Sequence, residues 1–104
     1  MNEGLKYDQD KVPMDLLDPD AMEGIARVLG FGAKKYARDN WRNGIVYSRL
    51  IAACFRHLYA ILRGQYYDDE SGLPHVDHAA CCLMFLSHFM KNRPDLDDLY
   101  KAPK

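Results

Sequence analysis

His75 and His78 stand one helical turn apart in the stretch DESGLPHVDHAACC, Asp69–Cys82, which sets an acidic loop directly against a run of small apolar residues. Imidazoles at that spacing share one helix face. Three carboxylates, Asp68, Asp69 and Glu70, come just before them. A second polar group, Arg56-His57, interrupts the apolar pattern SRLIAACFRHLYAILRG, in which Arg49, Arg56 and Arg63 recur every seven residues and so lie on a common face. Two adjacent polar residues inside an apolar helix must both find partners. Guanidinium groups bind phosphate bidentately, and an imidazole or carboxylate can hold a divalent ion or activate water. The set therefore suits a phosphorylated small molecule. The plainer reading is a wet acidic loop followed by two histidines that bond nearby carbonyls.

These residues converge only if the chain folds back between them. Asp18-Pro19-Asp20 reads as a helix start, with Asp18 as cap and Pro19 at the first helical position. The helix should run to about Leu29 and stop at Gly30. FGAKKYARDNWRNG then reads as one helical turn between loops, carrying Lys34, Lys35, Tyr36, Asn40 and Trp41. Ser48 is placed to cap a second helix, and Pro74 to open a third that reaches about Asn92 before Pro94. A connection of about ten residues makes the last two helices an antiparallel hairpin whose facing positions sum to roughly 135 to 138. That register brings His57 opposite His78. The third helix is apolar nearly all round from Ala79 to Met90, so it should be central or lie against a second subunit. The expected fold is all-α, a small helical bundle built on that hairpin, in a homo-oligomer. Residues 1–17 form an arm packing through Tyr7, Met14, Leu16 and Leu17, residues 18–93 the helical domain, and residues 94–104 a fraying tail.

Charge and cysteine content narrow the function further. With 104 residues and a net charge of −1, the chain lacks the dense cationic face that coats duplex nucleic acid. Cys54, Cys81 and Cys82 lie in apolar periodic segments without paired spacing, as buried reduced thiols do, which points to a cytoplasmic protein. No stretch reaches membrane-spanning length. The aromatic residues Phe31, Tyr36, Trp41 and Tyr47 offer a stacking surface for a base, with Tyr36 or Trp41 foremost, and Lys34 and Lys35 further phosphate contacts.

The blocks KYDQDKVPMDLL, FGAKKYARDNWRNG, SRLIAACFRHLYA and DDESGLPHVDHAACC occur in an order that resembles the small, mostly phage-borne N-terminal domain of dATP/dGTP diphosphohydrolases, over roughly residues 5–90. The resemblance implies hydrolysis of a deoxypurine triphosphate to monophosphate and pyrophosphate with a divalent ion, in the cytoplasm of a bacterial host. Its polar positions here are Lys34, Lys35, Asn40, Trp41, Arg49, Arg56, His57, Asp69, Glu70, His75 and His78. The ExxE and ExxD carboxylate pairs that hold magnesium in all-α nucleotide pyrophosphohydrolases do not occur in the second and third helices. The expected ion, magnesium or manganese, would then rest on His57, His75, His78 and Asp69. Glu70 would activate water with Asp69 and His57, and Arg49, Arg56, Arg63, Lys34 and Lys35 would meet phosphate. The alternative is a binding module that sequesters a nucleotide or signalling nucleotide without cleaving it.

Overall fold

A computed structural model describes residues 4–104, so residues 1–3 of the expected arm lie outside the described residues. The Asp18 carboxylate accepts the Ala21 N–H at 2.9 Å and Pro19 is the first helical residue, which opens α1 (Pro19–Lys35) as the sequence indicates. The stop expected at Gly30 does not occur. Glycine ends a helix by turning left-handed, and neither Gly30 nor Gly32 has a positive φ. Continuing the helix half-buries Phe31 and Ala33 and carries Lys35 and Tyr36 to its far end. A 3₁₀ turn follows at Asn40–Asn43.

α2 (Tyr47–Leu62) starts one residue before the expected cap. Ser48 is thus inside the first turn, and both its N–H and its hydroxyl bond the Asp98 carboxylate. An anion is favourable at that helix end. This contact overturns the expectation of a fraying tail. A 3₁₀ turn at Pro94–Leu96 brings the chain back, and Leu96 and Leu99 pack against the core. The tail stays because it has apolar side chains to bury and a carboxylate to deliver.

α3 (His75–Asn92) begins directly after Pro74, as expected. It packs most extensively on α2 and also on α1, which makes it the central helix. The α2–α3 register is the expected one. The Tyr47 hydroxyl lies within donating distance of the Phe89 carbonyl of α3 at 3.1 Å and of the Arg93 carbonyl just beyond it at 3.0 Å at one end, and the His57 ring stacks on His78 at the other. Between α1 and α3 the Asp77 carboxylate occupies the space a side chain would take at Gly24, where a Cβ would lie 2.4 Å from Oδ2 of Asp77. The core centres on Tyr47, Leu50, Leu86 and Phe89, with Trp41 and Phe85 against them. Residues 4–17 do not pack as expected. Tyr7, Met14, Leu16 and Leu17 are all exposed. Among the described residues no helix is long and apolar enough to cross a membrane.

Candidate functional site

The loop between α2 and α3 is held as a tight unit before any side chain enters the site. Gly64 ends α2 with a φ of 83°, His75 N–H bonds Tyr66 O at 2.8 Å, and Asp68 N–H bonds Leu73 O at 2.8 Å. Gly72, with a φ of 72°, completes the turn and returns its N–H to Asp68 O at 2.8 Å. Asp68 is thereby fixed facing inward. Its Oδ2 accepts the Ser71 N–H at 2.8 Å and the Ser71 hydroxyl at 2.9 Å.

The same hydroxyl lies 2.7 Å from His78 Nε2. A carboxylate only accepts, so Ser71 donates to Asp68 and His78 Nε2 is the protonated nitrogen that donates to Ser71. The result is a directed chain from His78 through Ser71 to Asp68, which leaves His78 Nδ1 free as an acceptor. On the other side, His57 Nδ1 and His75 Nδ1 are 2.8 Å apart and share one proton. His57 also stacks on His78 with ring centroids 4.7 Å apart and planes 12° from parallel.

The electrostatics follow from this crowding. Burial, then the neighbouring imidazoles His78 and His75, push His57 below the ordinary histidine range. Burial also lowers His78, against the opposing pull of Asp68. Burial works to raise Asp68, but the two bonds from Ser71 and the nearby imidazoles outweigh it and keep its carboxyl below the usual range. Neutral imidazoles beside an ionised carboxylate are the donor state a cation requires. His57, His75 and Asp68 each offer a ligand atom, and these atoms all lie within 4.8 Å of one another. Two imidazoles and one carboxylate form a set that suits manganese, iron, cobalt or zinc better than magnesium. The residues present therefore fit a divalent ion, with Asp68 in the place expected for the exposed Asp69.

This cluster lies at one end of a groove of about 790 Å³ that runs along the C-terminal half of α1 to the Asn40–Asn43 turn. Its cations are Lys35, Arg38 and Arg42. Lys35 pairs with Glu70 across the groove, and the Glu70 carboxylate holds the ammonium above its ordinary value. Arg49, Arg56 and Arg63, expected here, are exposed on α2 and do not line the groove. Their spacing correctly indicates a shared face, but that face meets solvent, so Arg56 needs no interior partner. Lys34 is exposed and also outside the lining, whereas Asn40 lies within it. Trp41 belongs to the core, stacked on Phe85 at 4.5 Å with the Arg42 guanidinium 4.5 Å from its ring. Tyr36, 66% exposed on the groove rim, is the aromatic ring with a face to offer. Cys54, Cys81 and Cys82 are free, and burial raises the Cys81 thiol to about 12 and the Cys82 thiol to about 11, so neither supplies a thiolate.

Ser71, Arg38 and Arg42 were not singled out from the sequence. The Asp-x-x-Ser-Gly pattern of residues 68–72 carried the signal for the first, because such a turn fixes its leading aspartate.

The chain is thus an all-α hairpin domain with a histidine–carboxylate cluster at one end of a cation-rimmed groove. The chain belongs to the family described as dATP/dGTP diphosphohydrolase, N-terminal, whose profile matches residues 1–99. It is 45% identical over 95 residues, 91% of its length, to a dATP/dGTP diphosphohydrolase of Salmonella phage PMBT28. The chain spans 32% of that relative's length. No solved structure matches it.

Proposed function

We propose that this domain hydrolyses deoxypurine nucleoside triphosphates to the monophosphate and pyrophosphate at the His57–Asp68 end of the groove. The observation that carries the reading is the convergence of His57, His75, His78 and Asp68 beside a groove rimmed by Lys35, Arg38 and Arg42, in a chain of this family. Tyr36 and Asn40 take the base end, and Lys35, Arg38 and Arg42 neutralise the phosphates. His57, His75 and Asp68 are the residues that would hold a divalent ion, whose contribution when bound is positive charge against the developing pyrophosphate. His78, anchored by Ser71, presents Nδ1 to the site as a fixed acceptor. Entry of a polyphosphate gives Lys35 a new partner and frees Glu70 to take a proton from water as that water attacks the α-phosphorus. The α–β phosphoanhydride bond breaks, and pyrophosphate leaves with the electron pair.

The binding-only reading has one observation in its favour, since Glu70 is already occupied by Lys35. The two diverge on product. Incubation with dATP and dGTP in the presence of manganese should release deoxynucleoside monophosphate and pyrophosphate, read by anion-exchange chromatography. Glu70→Gln should lower kcat by about 10²–10⁴-fold with nucleotide affinity little changed. Recovery of intact nucleotide alone, from wild type at every metal tested, would instead establish sequestration.

A further inference from the structure

The α2–α3 hairpin has two flanks, and only one is used by the groove and α1. The other carries an apolar stripe from each helix: Phe55, Leu58, Tyr59 and Leu62 on α2, and Val76, Leu83 and Met90 on α3. None of these seven lines the groove. Their exposure runs from 40% at Leu58 to 80% at Leu62. The core beneath is thin, for nine hydrophobic residues are buried among those described while eighteen large ones are exposed. A chain of this length gains most from covering such a face.

We propose that this flank is the interface between two copies of the chain, related by a two-fold axis near Leu83. Val76, Leu83 and Met90 are spaced seven apart, and the α3 stripe is symmetric about its middle residue. Reversing the helix about Leu83 therefore sets Val76 of one copy against Met90 of the second, which is the self-complementarity a two-fold contact demands. A seven-residue apolar repeat is also the seam along which helices pack at a shallow angle. Phe55 and Tyr59 are already stacked, with ring centroids 6.2 Å apart, so the aromatic part of the face is ordered in advance. An aromatic side chain carries on the order of 150–250 Å² and an aliphatic one less. Seven at about half exposure present on the order of 600 Å², approaching the roughly 800 Å² per partner of a standard interface and at the upper end of the largest patch on an ordinary monomer. The stripes contain no charged residue, which favours a second identical apolar face over a charged partner or ligand. Two hairpins joined this way form a four-helix bundle with the histidine clusters on its outer flanks.

Sedimentation velocity of the full chain tests this. Interfaces of this size hold at micromolar concentrations or below, so at about 100 µM the wild type should sediment at twice the 12.0 kDa chain mass. Leu83→Glu should halve the mass while the far-ultraviolet circular dichroism stays unchanged. Val76→Glu, at an equally exposed position, serves as the second variant should Leu83→Glu unfold. His57→Ala should remain dimeric, which separates this interface from the nucleotide reading. A wild type of 12.0 kDa at that concentration would overturn the proposal, and so would a dimer that survives a folded Leu83→Glu/Tyr59→Glu chain.

Discussion

Asp68 faces the histidines because Ser71 grips its carboxylate twice, while Asp69 beside it stands in solvent. Isothermal titration with manganese should separate the two. Asp68→Asn is expected to weaken binding by about tenfold or more and Asp69→Asn by less than about threefold, and the reverse order would return the ligand role to Asp69. The depressed imidazoles give a second test at this scale. His57 and His78 hold protons less tightly in the folded chain than unfolded, so between the two values the unfolded state carries more protons. Stability from this source is complete above the unfolded value of about 6.5, and falls as pH drops below it toward the folded values. Metal-free protein should therefore lose thermal stability between pH 7 and pH 5, and His57→Phe should flatten that slope. Asp68 titrates in the same sense, but its stabilisation is lost only below the ordinary carboxylate range.

At the scale of elements, the Asp77 carboxylate of α3 sits where a side chain at Gly24 of α1 would be. Alanine there gains helix propensity of about 1 kcal/mol, yet its Cβ would meet the Asp77 carboxylate at 2.4 Å. The clash is with the far end of a flexible side chain, so the cost of displacing Asp77 largely offsets the propensity gain and Gly24→Ala should destabilise the fold by no more than about 1 kcal/mol. Asp77→Ala in the same chain should restore most of that loss, as read by urea denaturation; no rescue would place the strain in the backbone instead. Much of the element plan was legible. Apolar period and loop length define the hairpin, and its register alone places His57 on His78. Gly30 misled because glycine permits a helix end without compelling one. Ser48 misled because its carboxylate partner, Asp98, is fifty residues away in a segment whose composition looks like a loose tail. The arginine stripe failed for a related reason, since periodicity tells which residues share a face and not whether that face meets protein or water. Asp68 was hidden among three consecutive acids, and only the turn closed by Ser71 and Gly72 distinguishes it.

For the whole molecule, the histidine end of the hairpin and the tail end are tied by different means. The loop from Gly64 to Pro74 closes one with backbone hydrogen bonds, while the other is closed by Tyr47, which reaches from α2 to the end of α3, and by Asp98, which reaches from the tail to the start of α2. A helix pair ordinarily opens like a zipper from its free end, but this one has no free end to start from. Amide hydrogen exchange in α2 should therefore be nearly uniform, with amides near Leu50 protected within about tenfold of those near Cys54. A Tyr47→Phe/Asp98→Ala chain should restore ordinary fraying at that end alone. Pre-existing fraying in the wild type would mean the tail rests on the hairpin without clasping it. In kinetic terms the clasp makes opening all-or-none, so a protease or a stretching force acting on the tail has to release the clasp before it reaches the residues that face the groove.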